Sequence, residues 1–243
     1  MRLRVLHWNV WWKENIHRAI EFIKTVDADV LCLQEVTDGC EMNGKADNAA
    51  LIAATGYDYH LVSAHKFPEG HTQGNGVFSK LPIIERSEFW VQKASTNQQG
   101  YAHEGRVCTL AKIDVQGKVL EFGTTHLSYT HRFEITEKKK AEIDKLLSLL
   151  NQKRKSFIFT GDLNTSPEQE TIPKISEILP HCGPEYTVPT WTTKPFEYNG
   201  FFEDKLRWRL DYVFATPDLR VRSAKTLSTT VSDHLPILVE FDI

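Results

Sequence analysis

Two short runs, apolar on both faces of a strand, limit how this chain can fold. Val30 to Leu33 and Ser156 to Thr160 lack the in–out alternation of a half-exposed strand. Each needs cover above and below. Each also follows an amphipathic helical stretch. In the first, Ile16, Ala19, Ile20 and Ile23 recur at helical spacing behind a capping Asn15. In the second, Phe133 to Asn151, the residues Ile143, Leu146, Leu147 and Leu150 share one face. Strand-like segments, Leu3 to Trp8 and Val119 to Thr125, precede these helices.

Between the two units the pattern predicts a helix over Asn48 to Ala54, ended by Gly56. Strands are expected at Tyr57 to Val62, Gly76 to Ser79, Ile83 to Val91 and Arg106 to Val115, with a hairpin turn at Gln116-Gly117. No helix separates them, so they read as antiparallel. A helix from Pro167 to about Leu179 and strands at Leu210 to Ala215, Val221 to Leu227 and Pro236 to Phe241 complete the pattern. The expected fold is α/β (α+β): two mixed sheets packed face to face, with helices outside. No linker or repeat divides the chain, so its 243 residues are expected to form one domain, 1–243.

Composition excludes some partners. With 41% hydrophobic and 25% charged residues the chain can build a core. A net charge of −3 argues against strong non-specific duplex binding. Lys138-Lys139-Lys140, on a predicted helix, reads as a solvated face. Cys32, Cys40, Cys108 and Cys182 lack metal-type spacing. No apolar stretch is long enough for a signal core or a membrane span, so a cytoplasmic monomer is expected.

Polar groups stand where the buried strands give way to loops, the usual place for a site in such folds. Glu35 closes Leu31-Cys32-Leu33-Gln34, and Asn9 follows Leu6-His7-Trp8. Asp162 and Asn164 flank Leu163 beyond the second buried run, an i, i+2 pair that leaves a strand on one side. Asp211 sits two residues after Arg209, so an ion pair competes with a catalytic role. Asp233 adjoins His234, and a carboxylate beside an imidazole can fix its tautomer. His126 ends another strand. Arg106 can reach a substrate phosphate or make a core salt bridge. Structural readings stay open for the rest as well: a salt bridge or helix cap for Glu35, turns for Asn9 and for Asp162 with Asn164, a hydrogen-bonded ring for His126. As a set, oxygen ligands and imidazoles without Cys suit a hard cation and a phosphate ester. Trp11, Trp12, Tyr129, His131 and Trp191 lie near these segments and can stack on bases or close the core. The core reading is favoured for most.

Taken in order, Trp8-Asn9, Leu33-Gln34-Glu35, Thr125-His126-Leu127, Gly161-Asp162-Leu163-Asn164, Arg209-Leu210-Asp211-Tyr212 and Ser232-Asp233-His234 resemble the motifs of the endonuclease/exonuclease/phosphatase superfamily, whose founding fold is deoxyribonuclease I. The resemblance implies a four-layer α/β/β/α sandwich. It implies hydrolysis of a phosphate ester by in-line attack of water, with Mg2+ or Mn2+. It makes Glu35 and Asn9 metal ligands, Asp162 the residue that orients or activates water, and Asn164 the phosphate holder. Asp233 and His234 become the acid–imidazole pair, supported by Asp211, with His126 near the leaving group.

Two departures narrow the branch. Trp11 stands where repair-type abasic-site endonucleases carry a second acid, and His126 stands where they tend to carry Tyr. The chain looks more like the deoxyribonuclease, sphingomyelinase and deadenylase-like branches. The leading expectation is a phosphodiesterase acting on single-stranded nucleic acid or nucleotides, without a membrane partner. The rivals are a phosphomonoesterase or sphingomyelinase-like phospholipid hydrolase, and a non-catalytic binding module on the same scaffold.

Overall fold

The computed structural model describes residues 1–95 and 104–243; most of the polar stretch Lys93 to Glu104, which from its length the sequence marks as a functional loop, lies outside the described residues. Two strand–helix–strand units organise the rest. β1 (Arg2–Asn9), α1 (Ile16–Val26) and β2 (Val30–Asp38) form the first, with β1 and β2 parallel. β7 (Lys118–His126), α3 (Glu137–Leu150) and β8 (Phe157–Asp162) form the second, again with parallel strands. α1 starts where predicted, because the Asn15 side chain accepts from the His17 N–H at 2.9 Å.

The remaining elements extend both sheets. They are α2 (Asn48–Ala53), β3 (Asp58–Lys66), β4 (Thr72–Ser79), β5 (Ile83–Gln92), β6 (Arg106–Val115), α4 (Thr171–Ser176), β9 (Phe196–Tyr198), β10 (Phe201–Glu203), β11 (Asp211–Ala215), β12 (Arg220–Thr226) and β13 (Ile237–Asp242). The first sheet runs β12-β13-β1-β2-β4-β3, the second β11-β8-β7-β6-β5, and β9 pairs only with β10. The antiparallel expectation holds within each sheet, with one finding beyond it. After Ser79 the chain leaves the first sheet through Lys80-Leu81-Pro82 and enters the second at Ile83.

Three apolar layers hold the sandwich together. Leu3, Val5, Cys32 and Phe241 of the first sheet meet Ile113, Phe122, Ile158 and Val213 of the second, all buried. α1 and α2 cover the outer face of the first sheet through Ile16, Ile20, Ile23 and Ile52. α3 and α4 cover the second through Ile143, Leu146, Leu150 and Ile175. Each such side chain, fully buried, contributes roughly 1.5–3 kcal/mol. The four layers match the α/β/β/α expectation. The helix expected from Pro167 to Leu179 is shorter, Thr171–Ser176. Pro173 has no N–H to donate and is tolerated because it lies in the first turn.

This topology brings the polar strand ends to one edge. Asn9 lies opposite Gln34 on the paired strands of the first sheet. Asp162 lies opposite both His126 and Asp211 in the second. His7 pairs with Ile237, so the turn before β13, which carries Asp233 and His234, opens at the same end. No described helix is long and apolar enough to cross a membrane.

Candidate active site

Glu35 is aimed by a bulge rather than by a strand end. β2 runs on to Asp38, but its pairing with β4 slips between Leu33 and Val36, and Glu35 adopts a left-handed φ of 59°. A bulge re-aims one side chain out of the pleat. Gly74, paired with Val36, lets β3 approach closely: a Cβ there would come within 2.2 Å of the Val62 carbonyl oxygen. The Glu35 carboxylate accepts from the Trp12 N–H at 3.0 Å and from Asn9 Nδ2 at 3.2 Å.

Asn9 joins the two sheets. The same Nδ2 donates to Asp162 Oδ2 at 3.0 Å, while its Oδ1 accepts from the Trp11 N–H. Asp162 Oδ2 also lies 3.5 Å from His126 Nε2 and 3.5 Å from His234 Nε2. Asn164 donates to His126 Nε2 and to the Leu127 carbonyl, both at 3.0 Å. Both its amide hydrogens are committed, so in this arrangement Asn164 orients His126 and leaves Nδ1 as that ring's donor. Glu35, His126, Asp162, Asn164, Asp233 and His234 line one cleft of about 290 Å³, along with Arg106. A larger, open depression lined by Arg132, Tyr186 and Trp208 holds none of these acids.

The acid that pairs with His234 is not its sequence neighbour. His234 Nδ1 meets Asp211 Oδ2 at 2.8 Å, whereas Asp233 accepts from Trp191 Nε1 at 3.0 Å. Asp233 lies in a bend that turns its carboxylate to Trp191, and the partner from the other sheet takes the imidazole. The ion pair weighed against a catalytic role for Asp211 does not form with Arg209. Arg209 Nε donates to the Asp211 backbone carbonyl, and its other nitrogens hold the carbonyls of Pro184, Glu185 and Val188. The second Asp211 oxygen takes His7 Nε2 at 2.9 Å. His7, wholly buried, is a site residue that the sequence reading missed. Its signal was a polar residue inside the apolar run Leu6-His7-Trp8.

Arg106 makes the salt bridge: Nη2 reaches Glu104 at 2.6 Å and Nε donates to Ser128 Oγ at 3.1 Å. It still lines the cleft. The solvated-face reading of the lysine run fails at its middle member. Lys139 is 0% exposed and donates to the Ser128 and Leu163 carbonyls at 2.7 and 2.6 Å. Burial pulls its ammonium down to about 7. Its two bonds tie the loop after His126 to the loop after Asp162. Trp191 and Tyr129 pack with Phe133 and Phe201, as the core reading expected, yet both also line the cleft, as do Trp11 and Trp12.

Burial disfavours the charged form of most groups in the site. Burial, reinforced by the charge of Asp233, pushes the Glu35 carboxyl up to about 7. Burial also raises Asp162 and Asp233. His126 offers no counter-charge, because burial and the charge of Arg106 hold it well below its ordinary range. His234 and Asp211 respond the other way: burial opposes both charges, but Asp211, Asp162 and Asp233 raise His234 well above its ordinary value, and His234 and His7 hold Asp211 below its own. Asp162, Asp211 and His234 place ligand-type atoms within 4.8 Å of one another, an acidic and imidazole cluster able to hold a metal. Both Asp211 oxygens are already taken by imidazoles, so that trio is better suited to holding a proton. Glu35 lines the cleft and offers carboxylate oxygens that fit a hard divalent cation, whereas Asn9 lies buried behind it and can add its Oδ1 only by giving up the Trp11 N–H.

The sequence matches the profile of the Endonuclease/Exonuclease/phosphatase family over residues 6–234. No curated protein sequence matches it. Similar solved structures include the human Nocturnin catalytic domain with bound sulfate anion, at 20% identity and a TM-score of 0.72 over 99% of this chain and 94% of that one. Another is D. rerio TDP2 complexed with single strand DNA product, at 15% identity and 0.73 over 100% and 99%. A third is a Bacteroides thetaiotaomicron mannosyl-6-phosphatase, at 18% identity and 0.66 over 99% and 100%. At such identities the likeness speaks for the shared sandwich alone. The profile match reaches across nearly the whole chain, and on that ground this protein belongs to the endonuclease/exonuclease/phosphatase family.

Proposed function

We propose that this family member is a Mg2+- or Mn2+-dependent phosphodiesterase acting on single-stranded nucleic acid or nucleotides, as a cytoplasmic monomer. The observation that carries the reading is the position of Asp162 Oδ2, within 3.5 Å of groups from both sheets: Asn9, His126 and His234. Glu35, with Asn9 beside it, would hold the divalent cation, which would supply charge neutralisation at the phosphate. The chain's own groups do the rest. Asp162 orients a water and takes its proton, a role favoured by its raised basicity. His234, kept charged by Asp211, offers its Nε2 proton to a phosphate oxygen. His126, held by Asn164, presents Nδ1 on the side of Glu35, where it can serve the leaving oxygen. Asp233 adds negative charge that favours the His234 cation.

Related folds occur in a complex with single strand DNA product and in a sugar phosphatase. The half-exposed rings of Trp11, Trp12 and Phe67 beside the acids favour the former kind of substrate. A substrate panel with Mg2+ tests the choice: oligothymidylate, an RNA oligomer, a 5′-mononucleotide, a hexose 6-phosphate and a choline phosphodiester. Cleavage of the nucleic acid diesters is expected to exceed that of every other member. Faster release of phosphate from the monoesters would overturn the diesterase reading.

A further inference from the structure

One group of rings takes no part in the chemistry above. Trp12 and Phe67 line the cleft, yet neither belongs to a core cluster, and both are half-exposed. They come from separate loops, Trp12 from the β1–α1 connection and Phe67 from the turn between β3 and β4. With His71 they form a near-parallel set. Phe67 lies on His71 at 4.2 Å and 14°, and Trp12 lies 6.0 Å from Phe67 at 31° and 6.4 Å from His71 at 24°. His65, buried beneath, meets Phe67 edge-on at 4.5 Å.

The set is held in place before any ligand arrives. The Phe67 N–H donates to the His71 carbonyl and the Gly70 N–H to the Phe67 carbonyl, both at 2.9 Å, which closes the turn. The Trp12 N–H is fixed to Glu35. The ring of Trp12 therefore starts at the residue that touches the proposed metal ligand. Beside it the exposed Lys13 ammonium stands 5.2 Å from the Trp12 ring centre.

We propose that Trp12 and Phe67 form a stacking subsite for an unpaired nucleobase flanking the scissile phosphate, with Lys13 meeting the next phosphate along the strand. The proposal rests on the phosphodiesterase reading above. Its chemistry follows from what this wall offers. Flat apolar rings and an exposed ammonium suit a base joined to a phosphate. A sugar subsite would instead need a fan of hydrogen-bonding groups for hydroxyls. A base inside a duplex already has its stacking partners, so the subsite favours single strands.

The test compares oligothymidylate with an oligomer of the same length built only of abasic units. Phe67→Ala is expected to raise KM for oligothymidylate about tenfold, the size of one lost base stack. KM for the abasic oligomer should stay at the wild-type value, and kcat should hold for both. Phe67→Trp should restore the oligothymidylate value, whereas Phe67→Leu, which keeps bulk without a π face, should not. Anisotropy of labelled oligomers reads binding apart from turnover. Base-dependent binding that needs Phe67 but yields no product supports the subsite and counts against the reaction. Equal losses on both oligomers, or none on either, overturn the subsite.

Discussion

His234→Ala is expected to lower kcat/KM for a phosphodiester by about a thousandfold, the combined size of a lost proton donor and a lost oxyanion contact. The geometry makes this residue hard to replace. Its Nδ1 is held by Asp211 at 2.8 Å, its backbone N–H donates to Ser232 Oγ at 3.0 Å, and its carbonyl accepts from Trp8 Nε1 at 3.0 Å. Three anchors leave only Nε2 for chemistry. Asp211→Asn provides the companion test. It keeps the shape but removes the charge that holds the imidazole protonated, so activity should fall steeply and the pH at which the enzyme loses its acid should move downward. Circular dichroism should report a native fold in both variants. Wild-type turnover by His234→Ala would remove His234 from the mechanism.

Lys139→Met is expected to cost about 2–4 kcal/mol of stability, because it strips the donor from two buried carbonyls and removes the buried cation beside Glu142. Glu142 is itself buried and accepts from the Ser128 N–H at 3.0 Å and Ser128 Oγ at 2.5 Å. The network runs on from Ser128 to Arg106 and Glu104. Losing its centre should loosen the strand ends that carry His126 and Asp162 together. Urea unfolding should show a lower midpoint with an unchanged slope. A wild-type midpoint would mean that the ammonium contributes nothing there.

That lysine also marks where the sequence was readable and was misread. Lys139, Ile143, Leu146 and Leu150 fall at i, i+4, i+7 and i+11, so the middle lysine shares the buried stripe of α3. Three consecutive lysines cannot all face solvent beside such a stripe. Most strands and helices were legible because their apolar periods are strong; β9 and β10, three residues each, are too short to carry a period and were missed. The Gln116-Gly117 turn was too, since both residues take positive φ, 55° and 89°, as a tight hairpin demands. The crossing at Lys80-Leu81-Pro82 was not, because a strand carries the same period in either sheet. Nor was the bulge at Glu35. One extra residue in a strand changes where a side chain points without altering the pattern around it. The site residues were found because each interrupts or ends an apolar run. Their partners were harder to see. Asp211 reaches His7 and His234 across the sandwich, and only the pairing of Asp162 with Asp211 at adjacent strand ends reveals it.

The central claim is that Glu35 and Asn9, gathered beside Asp162 and His234, hold one divalent ion. Titration calorimetry of Mn2+ into the metal-free protein tests it most directly. With the Glu35 carboxyl at about 7 in that state, binding must release its proton. Affinity should therefore fall about tenfold between pH 8 and pH 6, with proton uptake by the buffer growing as pH drops. Glu35→Gln should weaken binding by more than the ~10–100-fold that loss of an outer-sphere partner brings. Unchanged Mn2+ affinity in Glu35→Gln, or no binding to the wild-type protein at pH 8, would contradict the account.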